Sequence, residues 1–245
     1  MTRSLFSDPD RHPLAAPTEA ATLGPTVVLA PHPDDESLGC GGLLATLADL
    51  GIPAHVVVVT DGTRSHPGSA EYPHYKLRGL REREAREAVS HLGTPRLTFL
   101  RYPDCGMPAP GTPAFSAASH RLARVIGDAQ TVVAPWRRDP HCDHEATWAL
   151  GRAALEHLAH APRWLEYSVW TWPPANAHLA PRETEAAAWR LDVRHVRERK
   201  RRAVAAHRSQ TTDLIRDVPD GFRLQPEVLA LFDRPWELYA APIHA

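Results

Sequence analysis

The sequence predicts an α/β domain built on a mostly parallel sheet, and three observations carry that expectation. Short β-branched runs, Thr26-Val27-Val28-Leu29-Ala30, His55-Val56-Val57-Val58-Val59-Thr60 and Thr131-Val132-Val133-Ala134, alternate with longer Leu/Ala-rich stretches of helical spacing. The run Val56 to Val59 is apolar at every position, as in a strand covered on both faces of a parallel sheet. Proline, aspartate and glycine follow the strand ends, so polar loops fall at strand carboxyl ends, where open α/β sheets build ligand sites.

Taken in order, Leu38 to Leu50 reads as a helix stopped by Gly51, and Asp61 to Ser69 as a long polar loop after the second strand. Leu77 to Leu92 is a charged helix closed by Gly93, its Arg and Glu residues mostly solvated i,i+4 partners. Arg96 to Leu100 is a third strand, Phe115 to Gly127 a helix, Thr131 to Ala134 a fourth strand and Ala146 to His160 another helix. Trp164 to Trp172 reads as a further strand, the proline-bearing segment 173–188 as an excursion or lid, Val193 to Ala206 as a basic water-facing helix, and Arg234 to Ala240 as a last short strand. Residues 1–25, with Pro9, Pro13 and Pro17, read as a flexible N-terminal arm ahead of one domain over 26–245.

With 28 basic and 29 acidic residues, the chain offers no global charge for nucleic acid or an anionic membrane. The basic run at Arg197 to Arg202 lacks flanking aromatics, so no nucleic-acid partner is expected. No apolar run approaches the ~20 residues of a membrane span. The first residues hold no long apolar core of signal-peptide type. Three cysteines, Cys40, Cys105 and Cys142, make no CxxC pair and leave an odd thiol, which fits a reducing, cytoplasmic setting. Most of the 15 histidines have no spaced partner and fall to surface or core.

Two clusters stand apart. Pro31-His32-Pro33-Asp34-Asp35-Glu36 follows the first strand, and Asp139-Pro140-His141-Cys142-Asp143-His144 follows the fourth. One imidazole and three carboxylates in so short a loop repel one another, and a bound divalent cation relieves that repulsion. Both clusters leave the same sheet edge and can share an ion. A catalytic zinc site wants three N or O ligands and an open position. His32, Asp35 and His144 supply that set, leaving Asp34 as a carboxylate beside the water. His141 and His144 lie three apart, so one can ligate while the other serves the reaction. Singly, each cluster reads as an ordinary capped loop; together they do not. Cys142 could serve as a soft zinc ligand, but its place between His141 and Asp143 favours a spacer, and Cys40 reads as packing.

These residues resemble the LmbE-like, PIG-L-type zinc deacetylases, through Pro31 to Gly39 and His141-Cys142-Asp143-His144. Thr60-Asp61-Gly62, Arg81 to Glu84, Pro103-Asp104, Glu166 to Trp170 and His207-Arg208-Ser209-Gln210 extend the resemblance over about residues 26 to 240. It implies a Rossmann-like three-layer sandwich and hydrolysis of an N-acetyl group from an N-acetylglucosamine-type amino sugar or glycoconjugate, releasing acetate. By the resemblance His32, Asp35 and His144 hold zinc, with Fe²⁺ or Co²⁺ as alternatives. Asp34 is then general base and afterwards acid, a protonated His141 stabilises the oxyanion, Asp143 orients His141, and Arg64, Arg81 and Glu84 contact sugar hydroxyls. Proline is frequent in such chains where Cys142 stands here. A homo-oligomer is compatible with the sequence. Two other readings compete: a sugar-binding or regulatory module without turnover, and a metal-dependent phosphoesterase, which often uses two metals.

Overall fold

The computed structural model describes residues 3–93 and 95–243. In chain order the elements are β1 (Leu14–Ala15), β2 (Thr26–Ala30), α1 (Asp35–Asp49), β3 (Ala54–Thr60), α2 (His74–His91), β4 (Arg96–Tyr102), α3 (Pro113–Ile126), β5 (Thr131–Pro135), α4 (Cys142–Leu155), β6 (Arg163–Tyr167), β7 (Ala186–Asp192), α5 (Arg197–Ala206), α6 (Arg208–Thr211), α7 (Pro226–Phe232) and β8 (Trp236–Pro242). One eight-stranded sheet has the order β1-β7-β8-β6-β5-β2-β3-β4, and only β8 runs against the rest. The expected α/β sandwich with a mostly parallel sheet is the observed one.

The strand sequences explain the three layers. Along β2, β3 and β5, Val28, Ala30, Val56, Val58 and Val133 face α1, α2 and α5, packing on Leu43, Leu44, Leu47, Val89 and Ala203. Their neighbours Val27, Leu29, Val57, Val59, Val132 and Ala134 face α3 and α4, packing on Leu122, Ile126, Leu150 and Ala154. The two-residue period sends alternate side chains to opposite faces, so strands buried on both faces are apolar throughout. Burial of each such Leu or Val contributes about 1.5–3 kcal/mol. Cys40 is buried in the first of these clusters, as expected.

Several expectations are corrected. The arm is packed in its described part: Leu5, Ala20 and Leu23 are buried and Leu14–Ala15 pairs with β7. Segment 173–188 is not one excursion, since a 3-10 turn at Pro174–Leu179 leads into β7, which pairs with β8 along its whole length. Its Ala186-Ala187-Ala188 start carries little intrinsic strand signal, and cross-strand pairing decides it. The strand from Trp164 stops at Tyr167 because the N–H groups of Val169, Trp170 and Thr171 donate to the Asp139 carboxylate. Helices α1 and α4 start earlier than their apolar spacing suggests, at Asp35 and Cys142.

The basic helix α5 does not simply face water. Lys200 is buried and donates to Glu237 at 2.7 Å, while the same carboxylate accepts from the backbone of Gly42 and Leu43. Glu237→Ala strands a buried ammonium and two amides. It is expected to cost about 3–5 kcal/mol, read as a lower midpoint in urea unfolding; an unchanged midpoint would show the pair to be dispensable.

Candidate metal centre and substrate cavity

Strand β2 lies between β3 and β5, and the chain winds outward from it in both directions, so the β2/β5 gap is the switch point of the sheet. Crevices outside strand carboxyl ends at such a point are where ligands bind in this architecture. The loop after β2 brings His32, Asp34 and Asp35 there, and the loop after β5 brings His141, Asp143 and His144. The start of α4 at Cys142 puts Asp143 and His144 in its first turn, while His141 caps it by accepting the Asp143 N–H at Nδ1.

Two clusters about a hundred residues apart thus meet. Asp35 Oδ2 lies 3.2 Å from His32 Nδ1 and 3.3 Å from His144 Nε2. The rings of His32 and His144 stand 5.5 Å apart, and that of His141 stands 4.7 Å from His32. Each of the two deeper imidazoles carries a carboxylate on its far nitrogen: Asp143 at 3.0 Å from His32 Nε2, and Asp139 at 2.8 Å from His144 Nδ1. Carboxylates so placed fix ring orientation and tautomer at metal-ligating histidines. Asp104 adds a further carboxylate 3.9 Å from His32 Nε2.

The electrostatics follow from this crowding. Burial pushes His32 down, but the hydrogen bonds of Asp143 and Asp35 outweigh it and raise its pKa to about 9. His144, also opposed by burial, is raised to about 10 by Asp35 and Asp139. Both shifts mark a cage with surplus negative charge. Asp34 moves the other way from Asp35: burial raises it to about 6 although Arg81 opposes the rise, whereas the histidines overcome burial and hold Asp35 well below the carboxylate range. Burial and the neighbouring His32 and His144 lower His141.

Asp34 is held apart from the cage. Its backbone has φ 144°, a costly conformation for a residue other than glycine, and its N–H donates to Glu36 at 3.0 Å. Glu36 is fully buried and accepts from Ser37 Oγ, with His207 Nε2 2.8 Å away. Arg81 Nη2 stands 3.2 Å from Asp34 and donates to the Pro33 carbonyl, while Nη1 donates to that of Gly62. Gly62 has φ +62°, and a Cβ there would fall 2.4 Å from Arg81 Nη1, so the turn and the arginine require each other.

A cavity of about 370 Å³ opens over these groups, lined by His32, Asp34, Asp35, Arg81, His141 and Asp104 on its polar side. Leu38, Trp170, Phe222 and Leu224 form an apolar wall, with Arg64, Cys105 and Gln210 also at its surface. Gln210 Oε1 is buried and has no hydrogen-bond partner among the described residues.

Most residues singled out in the sequence converge here, with two corrections. Glu84 is not on the cavity wall: its oxygens accept from Ser209 N and Oγ at 2.8 and 2.6 Å, tying α2 to α6. The Asp143 carboxylate orients His32, not His141, because its position in the first turn of α4 turns it towards β2's loop; only its N–H reaches His141. Asp139 and Asp104 carried no role in the sequence reading. The one signal for Asp139 was its place at the head of the second cluster.

The profile of the family described as "PIG-L: GlcNAc-PI de-N-acetylase" matches residues 27–155. A 2'-N-acetylparomamine deacetylase of Streptomyces fradiae is 32% identical over 165 residues, 60% of this chain and 57% of that protein. The chain thus spans under two thirds of the length of that relative. A 1D-myo-inositol 2-acetamido-2-deoxy-alpha-D-glucopyranoside deacetylase of Rhodococcus opacus is 29% identical over 234 residues, 74% of this chain and 80% of that one. Among solved structures, an N,N'-diacetylchitobiose deacetylase from Pyrococcus horikoshii shares the fold with TM-score 0.64 at 20% identity, covering 86% of this chain and 79% of its own. A 4-carboxy-2-hydroxymuconate hydratase from Pseudomonas putida shares it with TM-score 0.67 at 18% identity, covering 91% and 97%. Fold likeness alone therefore does not select the reaction.

Proposed function

We propose that this chain, which belongs to the PIG-L family, is a metal-dependent N-deacetylase that hydrolyses the acetamide of an N-acetylglucosamine-type amino sugar to acetate and a free amine. The observation that carries the reading is the Asp35 carboxylate set between His32 Nδ1 and His144 Nε2, with the Asp34 carboxylate beside it and held by Arg81.

The donor set fits a zinc ion. His144 Nε2 is buried without a hydrogen-bond partner among the described residues. Separations of 3.2 and 3.3 Å from the shared Asp35 oxygen match those of ligands about 2.0–2.2 Å from a common tetrahedral ion. His32, Asp35 and His144 would hold it; Fe²⁺ and Co²⁺ suit the same N/O set. When bound, the ion supplies Lewis acidity to a water and to the acetamide carbonyl.

The remaining steps belong to the chain. Asp34 takes a proton from the attacking water at its carboxylate and returns it to the departing sugar nitrogen. The resemblance implies a protonated His141, but Nδ1 accepts from the Asp143 backbone, so a neutral ring carries its proton on Nε2, a donor for the oxyanion. Arg81, implied by the resemblance to contact sugar hydroxyls, is instead proposed as a positioning residue, because its Nη atoms are engaged by two backbone carbonyls and the Asp34 carboxylate. Trp170 and Phe222 give the sugar ring an apolar face, and Gln210 Oε1 accepts from a hydroxyl or the amide N–H. The deacetylase names of the relatives support this reaction over phosphate-ester cleavage and over binding without turnover.

The test is a panel of N-acetylglucosaminyl conjugates and N-acetylated aminoglycosides incubated with zinc-loaded protein. Equal amounts of acetate and new primary amine are expected from at least one. Inert acetamides together with phosphate release from sugar phosphates would instead support the phosphoesterase.

A further inference from the structure

We propose that Cys105 and Cys142 are a modification site, an oxidisable thiol pair that forms a reversible disulfide across the rim of the cavity. Cys105 lies in the loop after β4 at the cavity surface, and Cys142, next to the cavity-lining His141, is the first residue of α4, so the bridge would tie that loop to the start of α4. Both residues are exposed, and their Sγ atoms are 2.6 Å apart. That is about half an ångström beyond a covalent S–S bond of ~2.05 Å. The Cys105 loop is already clasped to α4, since the Cys105 N–H donates to both Asp143 oxygens at 3.1 and 2.9 Å. Oxidation therefore needs little movement of either segment.

The same two cysteines and His141 could be read as soft metal ligands. The geometry favours the disulfide. Two thiolates sharing a tetrahedral zinc at ~2.3 Å stand roughly 3.8 Å apart, well beyond the observed contact. His141 Nδ1, 3.9 Å from Cys142 Sγ, is meanwhile engaged by the Asp143 N–H. Cys40 is buried and takes no part.

In the reaction each thiol gives up one proton and one electron, an S–S bond forms, and a low-molecular-weight disulfide accepts both pairs and leaves as two thiols. The product links positions 37 apart in the chain and holds Asp143 on His32. It is expected to raise Tm by about 5 °C or more and to slow metal loss to a thiol-free chelator at least threefold.

The experiment treats full-length protein with excess oxidised glutathione and reads mass, accessible thiols, Tm and metal loss. The expected result is a mass lower by about two hydrogens, loss of two reactive thiols, a linked Cys105–Cys142 peptide and reversal by dithiothreitol, while C105S and C142S each take one glutathione adduct instead. Two glutathione adducts on the unmodified chain, or thiols that stay free, would overturn the bridge. A second zinc per chain that disappears in C142S would assign the pair to metal binding instead, and equal rates of metal loss in bridged and reduced protein would remove the clamp on Asp143.

Discussion

Asp34→Asn lowers kcat/KM for acetate release by about 10²–10⁴-fold, the usual contribution of a general acid–base group, while metal content stays at the level of the unsubstituted protein. The expectation rests on how the chain separates two adjacent carboxylates. Asp35 begins α1 and turns into the histidine cage, whereas the φ of 144° at Asp34 turns its side chain towards Arg81 and the cavity. Asparagine keeps the shape and cannot take a proton from water. Arg81 keeps its hydrogen bonds to the Pro33 and Gly62 carbonyls, so the fold should survive, with Tm as the control. A variant with full turnover would remove Asp34 from the reaction. One that loses its metal would make it a ligand.

Asp139→Ala should weaken metal affinity by about 10–100-fold and destabilise the protein by about 2–4 kcal/mol. Asp139 is fully buried, and its carboxylate meets His144 Nδ1 at 2.8 Å, accepts from Ser168 Oγ at 2.8 Å, and accepts from three consecutive amides at Val169, Trp170 and Thr171. One side chain therefore orients the imidazole of His144, a ligand in the proposed metal site, and ends β6 where Trp170 enters the cavity wall. Alanine leaves those donors facing each other without an acceptor. Metal titration and thermal unfolding measure the two effects; tight metal binding at unchanged stability would show that His144 is oriented by its packing alone.

The fold and the meeting of the two His/Asp loops were legible in the sequence because both are written in local patterns. Doubly buried strands are apolar at every position, and His/Asp loops after β2 and β5 fall on the same edge of a parallel sheet. What was not legible depends on tertiary pairing. The alanines that open β7 pair with β8, and β1 pairs with β7 from within an arm that reads as loose. Lys200 lies in a run of arginines that reads as solvated, and only the fold supplies Glu237 as its partner. The same holds for second-layer partners. Nothing near Glu84 in sequence indicates that Ser209 uses both its oxygens, and the assignment of Asp143 to His32 follows from the first-turn geometry of α4.

The most direct test of the account is a crystal structure of zinc-loaded protein with anomalous data at the zinc edge. One ion per chain bonded to His32, Asp35 and His144, with Asp34 unbound at its side, is the result predicted. An ion held by Asp104 and Asp143, or by the cysteines with His141, would contradict it.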